Sequence, residues 1–412
     1  MIPSAMLGSE IKRWALEIGF DLVGIAPVGA GNDLEFARQW VERGFAGEME
    51  YLANPKRNDL RLVLPSVKSA ICVGLLYNTE HPYSVEVCGL EGRKQKAVGS
   101  ETPSLAPQLS AAGRGWPVRG GTGEAGAPHA WISRYAWGED YHDVVRGKLE
   151  KLRNAIEILA PGAETRVFVD TGPIVERALA RFSGIGWMGK NTCMINERKG
   201  SWFFLGVILT NLELTPDLSA PDRCGSCTAC LEACPTGALA EPYVMDASRC
   251  ISYLTIELKG SIPEEHRSVM GANIFGCDIC QDVCPWNSKG RSQVSEGRSR
   301  ETTFQPLTVE AMEREAGNSR SVPNPQPLAP SPFSLFYPPL AALASLTEDD
   351  FRRVFAHSPI KRAKYQGWLR NLCVAMGNFG DHPFIPRLEE FSQHPDPVIR
   401  EHSAWALKQL LG

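Results

Sequence analysis

The sequence predicts a multidomain α+β protein with three folded parts. Patterns typical of strands and helices alternate through the first half, a cysteine-rich stretch follows, and apolar residues recur at helical spacing near the end. The chain has 412 residues, which at roughly 100–200 residues per domain suggests two to four domains. We therefore expect an α/β domain at 1–214, a cysteine-bearing module at 215–290, a linker at 291–334 and a helical domain at 335–412.

Hydrophobic periodicity separates the helices from the strands of the α/β domain. Helices are predicted at 7–18, 34–41, 143–159 and 173–182, the last with Pro173 in its first turn. Strands are predicted at 20–26, 69–78, 165–169 and 202–209. Residues 84–130 are rich in Gly, Ala, Ser and Pro. They cannot bury enough surface to offset their ordering entropy, so we expect most of this stretch to be a mobile insertion.

Two cysteine runs indicate a ferredoxin-like module with two iron–sulfur clusters. The first run, C-x2-C-x2-C-x3-C-P, has the bacterial ferredoxin spacing, in which the fourth cysteine ligates the other cluster. The second run lacks its first cysteine, because Ile274 stands there, and Cys250 is the only nearby thiol that can replace it. We expect one [4Fe–4S] cluster on Cys224, Cys227, Cys230 and Cys284, and the other on Cys234, Cys250, Cys277 and Cys280.

Structural zinc and disulfides are the alternatives for these eight thiols. Zinc sites usually pair two short cysteine knuckles and lack such a proline-flanked triple. Export signals and apolar runs of about 18 residues are absent from the sequence, so we expect a cytoplasmic protein with no membrane contact. We expect the remaining four of the 12 cysteines to be reduced thiols, namely Cys72, Cys88, Cys193 and Cys373.

The C-terminal part is predicted to be helical. Residues 288–334 are rich in Ser, Pro and Arg and are expected to run over the surface as a linker. Helices are predicted at 340–346 and from 351 onward, the latter with Thr347 leading its N-terminal cap. Three more are predicted at 365–377, 383–392 and 397–411, in a HEAT-like paired arrangement. The net charge of −4 does not indicate nucleic-acid binding, so such a partner would need a local basic patch.

One basic cluster in these helices could serve as that patch. Two interpretations remain open, a solvated helix face and a phosphate-binding face on which Lys and Arg displace counterions. Two aromatic residues, Tyr365 and Trp368, are interleaved with the basic ones. The cluster comprises Arg352, Arg353, His357, Lys361, Arg362, Lys364 and Arg370.

Three further motifs have both a chemical and a structural interpretation. Asp170 ends an apolar strand, where ligands collect in α/β proteins, but it could equally be a helix cap; partial burial would raise its pKa and make it a proton donor. Asp140-Tyr-His142 resembles a cobalamin-ligating D-x-H element, although we favour a packing or hydrogen-bonding role for His142. Gly184-x-Gly-x-x-Gly189 matches the dinucleotide fingerprint but lacks its preceding strand and following helix.

Several blocks together resemble the epoxyqueuosine reductase family. The resemblance covers nearly the whole chain except 84–130 and much of 288–334. Besides both cysteine runs, the blocks include Arg134-Tyr-Ala-Trp-Gly-Glu-Asp-Tyr-His142, Val169-Asp-Thr-Gly-Pro173 and Gly184-Ile-Gly-Trp-Met-Gly-Lys-Asn191.

The resemblance implies a nitroreductase-like α/β domain that binds cob(II)alamin, of the kind shared with reductive dehalogenases, and HEAT-like helices that help to hold tRNA. The implied reaction reduces epoxyqueuosine to queuosine at the wobble position (34) of tRNA, the last step of queuosine biosynthesis. The expected partners are the anticodon stem-loop and a low-potential donor such as a flavodoxin or ferredoxin, and the chain is expected to be a monomer.

Matching positions also imply roles for individual residues. Asp170 would be the proton donor, and Lys361, Arg362 and Lys364 would contact tRNA phosphates. The corrinoid would be lined by Arg57, Ser133, Asp170, Met194, Leu205, Ser252 and Asp278.

Two other functions compete with this one. A reductive dehalogenase-like corrinoid enzyme for small molecules would typically carry a twin-arginine signal, which is absent here. A plain electron carrier would not need roughly 200 residues of α/β domain ahead of its cysteines.

Overall fold

A computed structural model describes residues 4–29, 32–88, 128–287, 302–309, 311–312, 333–380 and 382–412. Its main sheet has four strands, all neighbours antiparallel, in the spatial order 22–27, 69–76, 203–210 and 165–168. Apolar residues make up most of these strands, as suits a sheet covered on both faces. The strands are β1 Leu22–Pro27, β2 Ser69–Leu76, β4 Thr165–Phe168 and β7 Phe203–Thr210.

Helices cover both faces of this sheet. Successive side chains of a strand point to opposite faces, so Ile71 and Val73 pack with α1 (Ser4–Ile18) and α4 (Tyr141–Leu159). Ala70 and Cys72 pack on the other face with α5 (Glu176–Phe182). An additional helix, α2, spans Asn32–Glu42. The predicted strands and helices of this part are therefore present.

Helix α5 begins three residues later than predicted. Its N-cap is Val175, so Pro173 lies before the helix and not in its first turn. At the other end, Gly24 in β1 allows close approach, because a Cβ there would lie 2.0 Å from the backbone oxygen of Ser183.

The cysteine module contains short elements between its ligand-bearing loops. Its helices are α6 Ala229–Ala233, α7 Ile251–Ile256, α8 Glu264–Arg267 and α9 Ile279–Asp282. Its strands are β8 Leu239–Glu241, β9 Val244–Met245 and β10 Asn273–Phe275, and β10 pairs in parallel with β3 (Trp131–Ile132). That pairing ties the module to the α/β part.

The C-terminal helices share one hydrophobic core with the module. Trp368 and Leu372 pack in the same cluster as Leu254 and Ile274. The helix at 364–379 packs against the helix at 397–411, and so does the helix at 385–391. The helices are α10 Leu340–Ala344, α11 Glu348–Val354, α12 Lys364–Phe379, α13 Ile385–Phe391 and α14 Pro397–Leu411.

The ends of the expected mobile insertion are packed. Residues Ser84–Val87 form the helix α3, and the Ser84 hydroxyl and amide both donate to the buried Asp282 carboxylate. At the far end, Ala130 donates its amide to the Pro338 carbonyl over 2.9 Å. Residues 89–127, on which the rest of that expectation falls, lie outside the described residues.

Part of the expected surface linker is also buried. Phe304 and Val309 are in the core, and the Glu139 amide donates to the Thr303 carbonyl over 2.9 Å. The expectation of a surface linker is therefore wrong for 302–309, because large apolar residues in that stretch find cover between the sheet and the C-terminal helices. Among the helices in the described ranges, none is long and apolar enough to cross a membrane.

Candidate iron–sulfur centres and catalytic carboxylate

Four cysteines line one cavity beside the ferredoxin-like run. The cavity has a volume of about 220 Å³, and its wall also includes Lys190 and Trp286. Burial, and then the neighbouring Cys227 and Cys224 thiols, raises the pKa of Cys230 to about 11. Ligation by a metal would displace these protons, since the thiolate is the ligand form. The four are Cys224, Cys227, Cys230 and Cys284, the set expected for the first cluster.

The four thiols expected around the second cluster are near enough to affect one another's ionisation. Burial, and then the nearby Cys250 and Cys234 thiols, raises the pKa of Cys277 well above its ordinary value. The pKa of Cys280 is also raised, first by a hydrogen bond with Cys193, then by burial, and then by the Cys277 and Cys250 thiols. Cys250 precedes α7 as its N-cap residue, which places it within the module's ligand loops.

The glycine-rich segment 184–191 forms a wall of the cluster region. Trp187–Met188 (β5) and Met194–Ile195 (β6) pair as a hairpin, so this segment lacks the strand–turn–helix geometry of a dinucleotide site. Within the hairpin, Asn191 donates to the Cys280 carbonyl over 3.1 Å. The segment therefore holds the cysteine loops in place.

Asp170 lies just after β4 in a left-handed backbone conformation, with φ of 54°. Such a conformation is uncommon outside glycine and is often found at functional sites. Its carboxylate accepts a 2.8 Å hydrogen bond from the Tyr141 hydroxyl, and His142 Nε2 lies 3.3 Å away. The Asp170 side chain is 53% exposed, and it does not cap α5. The structure thus favours the chemical interpretation over the helix cap.

Burial and hydrogen bonds act in opposite directions on this carboxylate. Although about half of this side chain is exposed, its partial burial favours the neutral form; hydrogen bonds from His142 and Tyr141 outweigh that effect and lower the pKa of Asp170. The expectation of a raised pKa is therefore wrong for the resting site. Burial likewise disfavours the charged form of His142, yet hydrogen bonds to Asp140 and Asp170 raise its pKa to about 9. At neutral pH the proton of this pair resides on the imidazole.

His142 is fixed from its other side by Asp140. This carboxylate is the N-cap of α4, accepts from the His142 amide, and lies 2.7 Å from His142 Nδ1. The expected hydrogen-bonding role of His142 is confirmed by these contacts. Asp140 also pairs with Lys361 Nζ at 2.9 Å, so a chain of charged groups runs from the protein surface to Asp170.

Glu176 is a second carboxylate beside Asp170. Its Oε1 accepts a 2.8 Å hydrogen bond from the Asp170 amide. Burial, and then the negative charge of Asp170, raises the pKa of Glu176 to about 8. Glu176 is therefore largely neutral at pH 7 and holds the strained Asp170 backbone without adding full charge.

Tyr51 is a half-exposed residue whose ring lies between two arginines. The ring is 47% exposed, and the guanidinium carbons of Arg57 and Arg362 lie 5.9 Å and 5.7 Å from its centroid. Arg362 also donates to the Tyr51 hydroxyl over 3.3 Å and pairs with Glu257 at 2.5 Å. Arg57 donates to the carbonyls of Ile174 and Gly172, in the loop that follows Asp170.

The seven residues expected to line a corrinoid fall into two groups. Arg57, Asp170, Leu205 and Ser252 keep accessible surface, and the Nε of Arg57 is a buried donor with no partner. Met194, Ser133 and Asp278 are buried, and Asp278 is only 1% exposed.

Asp278 is occupied with neighbouring protein groups. It accepts from Ser133 Oγ at 2.5 Å, from the Arg134 amide at 2.8 Å and from Trp131 Nε1 at 3.1 Å. The side chains of Ser133 and Asp278 therefore build the wall of the site, behind any surface that a cofactor would touch.

The expected basic cluster does not form a single face. Arg370 is 1% exposed and donates to the carbonyls of Leu254, Leu258 and Gly260. It therefore fixes the module against α12, and its assignment to a phosphate-binding face is wrong. Lys361, Arg362 and Lys364 remain at the surface.

Sequence reasoning did not single out Tyr51 or Glu176. A tyrosine in a short 3-10 turn (Glu50–Ala53) and a glutamate in the first turn of a helix carry no distinctive signal. Their proximity to Asp170 depends on tertiary packing. The Asp-Tyr-His order at 140–142 was a usable signal for Tyr141, because an N-cap aspartate places the next two residues in the first helical turn.

Two family models match the chain. The 4Fe-4S double cluster binding domain matches residues 223–287, which include all eight expected ligands, and the epoxyqueuosine reductase QueG (DUF1730) model matches residues 117–171, which include Asp170. The fold and the site thus define an iron–sulfur enzyme with a double-cluster module behind an α/β domain.

Its relatives give the particular family. The epoxyqueuosine reductase of Pseudomonas aeruginosa is 35% identical over 409 residues, covering 98% of this chain and 95% of that protein. The one from Escherichia coli is 34% identical over 403 residues, covering 98% and 89%. The chain belongs to the epoxyqueuosine reductase family.

Solved structures agree with this assignment. An epoxyqueuosine reductase bound to an epoxyqueuosine-modified tRNA-Tyr stem loop is 27% identical, with a TM-score of 0.74 over 98% of this chain and 90% of that one. The Bacillus subtilis enzyme, with its catalytic aspartate loop swung out of the active site, is 26% identical, with a TM-score of 0.72 and the same coverage.

Proposed function

We propose that this protein reduces epoxyqueuosine to queuosine at the wobble position of tRNA, the last step of queuosine biosynthesis. The observation that carries the proposal is the group Asp170, His142 and Tyr141, in a chain that also has a double-cluster module and aligns end to end with epoxyqueuosine reductases. Opening an epoxide to an alkene takes two electrons and two protons and releases water. The site must therefore supply protons at one point and electrons at another.

Asp170 and His142 supply one of the two protons in this proposal, and solvent water supplies the other. Because hydrogen bonds lower the pKa of Asp170 and raise that of His142 to about 9, the resting pair stores its proton on His142. The carboxylate oxygen, 3.3 Å from Nε2, passes that proton to the oxygen released from the epoxide. Tyr141 and the Glu176–Asp170 amide contact hold the carboxylate in position.

The two sets of four cysteines would carry the electrons one at a time. We propose that the first set holds one [4Fe–4S] cluster, and that Cys234, Cys250, Cys277 and Cys280 hold the other. A flavodoxin or ferredoxin would be the donor, and the chain would act as a monomer.

A corrinoid would complete the electron path. The accessible group Arg57, Asp170, Leu205 and Ser252 fits such a cofactor, and the unpartnered Arg57 Nε offers a donor toward it. Ser133, Met194 and Asp278 would support the pocket from behind. When bound, cob(II)alamin would supply a reducible metal centre for the two-electron step, while the protein positions it and supplies protons. In this proposal the α/β part is nitroreductase-like and the C-terminal helices are HEAT-like.

The RNA would enter on the side of Tyr51 and the basic residues. Lys361, Arg362 and Lys364 lie at the surface of the 3-10 turn Pro359–Ala363 and the start of α12, next to the chain of groups that leads to Asp170. These cations would contact the phosphates of the anticodon stem-loop. The wobble base would be turned out of its stack to reach the carboxylate.

Analysis of tRNA nucleosides tests this function directly. A strain lacking the gene should accumulate epoxyqueuosine in tRNA, measured by liquid chromatography and mass spectrometry. The wild-type gene should restore queuosine, whereas the Asp170→Ala variant should not. Queuosine that persists at its normal level in the deletion strain would overturn the proposal.

A further inference from the structure

Lys190 is a buried cation that the proposed reaction does not use. Lys190 is only 9% exposed and lies at the centre of the 184–195 hairpin. Nζ donates to the carbonyls of Gly225 and Cys227, at 2.6 Å and 2.9 Å. Both acceptors belong to the C-x2-C loop of the first cysteine set.

No negative side chain compensates this charge among the residues that the structure describes. The carboxylate two residues before Cys224 is engaged elsewhere, because Asp222 accepts from the Cys224 amide at 2.7 Å and from the Tyr243 hydroxyl at 2.5 Å. The other cation on the cavity wall, Arg223, pairs with Glu197 at 3.3 Å. An ammonium buried with only neutral acceptors is costly unless an anion lies nearby.

The cavity beside Lys190 provides that anion once it is loaded. Cys224, Cys227, Cys230 and Cys284 line the same cavity, and four thiolates around an iron–sulfur cube leave a net negative charge. A fixed cation next to this group stabilises the reduced cluster, which is more negative by one charge, over the oxidised one. Net charge and hydrogen bonding around a cluster are known determinants of its potential.

We propose that Lys190 raises the reduction potential of the first cluster and not that of the second. The step concerned is the transfer of one electron from a donor such as dithionite to [4Fe–4S]2+, giving [4Fe–4S]+ with no proton or bond change. The second cysteine set receives two contacts from this hairpin, and neither comes from a cation: the Asn191 amide donates to the Cys280 carbonyl, and the Cys193 side chain lies against that of Cys280. The hairpin thus places a cation beside the first cluster only, and the electron would preferentially reduce the first cluster.

A redox titration monitored by electron paramagnetic resonance tests this without tRNA or turnover. In Lys190→Gln, the equilibrium constant for one-electron reduction of one cluster should fall at least tenfold, which corresponds to a potential lower by about 59 mV. The other cluster should keep its potential. Lys190→Arg, which keeps the charge, should change the same constant less than threefold. The surface variant Lys259→Gln is the matched control and should leave both potentials unchanged.

Two results would overturn the proposal. One is a Lys190→Gln protein that carries both clusters at wild-type potentials. The other is an Arg variant that shifts as far as the Gln variant, which would make Lys190 a structural clamp. If Lys190→Gln fails to load the first cluster, the iron content of this variant, of Lys190→Met and of Lys190→Arg decides. Full iron in Lys190→Arg with loss of iron in Lys190→Gln and Lys190→Met supports charge compensation. Loss of iron in all three variants contradicts it. Because no RNA enters the experiment, its failure is independent of the proposed substrate.

Discussion

His142 Nε2 lies 3.3 Å from the Oδ2 of Asp170, and its other ring nitrogen lies 2.7 Å from Asp140. This arrangement keeps the imidazole protonated next to an ionised carboxylate, with the pKa of His142 raised to about 9. We predict that His142→Gln lowers single-turnover reduction of a modified stem-loop by about 10²–10⁴-fold, the usual contribution of a general acid–base group.

The same pair predicts a pH dependence. The wild-type rate should fall as the pH rises through about 9, because the imidazolium then loses the proton that it stores. A pH–rate profile checks this, with His266→Gln as the control that keeps the alkaline limb. Stability should change in the same direction. Because the pKa of His142 is higher in the folded protein than in the unfolded chain, where it is near 6.5, the imidazolium stabilises the fold fully below that value. This contribution is lost as the pH rises through about 9. An alkaline limb unchanged in His142→Gln would remove His142 from proton delivery.

Replacing Asp170 should separate chemistry from assembly. Asp170→Ala removes the carboxylate but none of the cysteines, so iron content and cluster absorbance should match the wild type while turnover falls by about 10²-fold or more. Iron analysis and single-turnover rates measure the two effects. Full activity in this variant would exclude Asp170 as the proton donor.

The sequence predicted the parts of this site that depend on spacing. The strand before Asp170 follows from a local pattern and is present, and the four cysteines that spacing assigns to the first cluster line one cavity. Both ligand sets stay predictions. Tyr51 could not be predicted, because its position between Arg57 and Arg362 joins segments more than 300 residues apart.

Two expectations failed for physical reasons. The basic pattern around α12 does not distinguish Lys361, which lies at the surface, from Arg370, which is buried and donates to three carbonyl oxygens. The lowered pKa of Asp170 was also not predicted. Partial burial alone would have raised it, and the donors that oppose this effect, Tyr141 and His142, come from α4.

Glu176 predicts an unusual effect of a neutral substitution. Burial and the nearby Asp170 charge raise the pKa of Glu176 to about 8, so the folded protein holds a proton that the unfolded chain loses near pH 4.5. This contribution destabilises the wild type as the pH rises from about 4.5 to 8. Glu176→Gln keeps an acceptor for the Asp170 amide and has no such cost, so its Tm should equal the wild type at pH 5 and exceed it at pH 9.

Thermal unfolding at the two pH values measures this difference. Glu157→Gln, a helix-surface glutamate of α4, serves as the control and should show the same Tm difference from wild type at both. A Glu176→Gln protein that is less stable than wild type at pH 9 would show that the ionised carboxylate is stabilising there.

Cys250 should be required for one cluster only. The thiol lies with Cys234 and Cys277 and replaces the cysteine that the second run lacks at Ile274. We predict that Cys250→Ala, purified anaerobically, keeps roughly half of the wild-type iron, because the other set of four thiols is intact. Cys373→Ala, in α12 and outside both sets, should keep all of it. Full iron in Cys250→Ala would refute the assigned ligand.

Lys361 links the expected RNA surface to the proton chain. Its Nζ is 2.9 Å from Asp140 and its side chain is half exposed, so an RNA phosphate could contact the same ammonium. Lys361→Gln should weaken binding of the stem-loop at low salt and reduce the slope of log affinity against log salt by about 1, the effect of losing one phosphate contact. Lys408→Gln, on the exposed side of α14, is the matched control.

The comparison of binding with turnover completes this test. Because Lys361 also lowers the pKa of Asp140, which in turn holds His142, the variant should lose turnover even when RNA is saturating. Fluorescence anisotropy at several salt concentrations and single-turnover rates at saturating enzyme measure the two effects separately. An unchanged salt slope would place the RNA elsewhere, whereas an unchanged saturated rate would show that Lys361 binds RNA without supporting the proton chain.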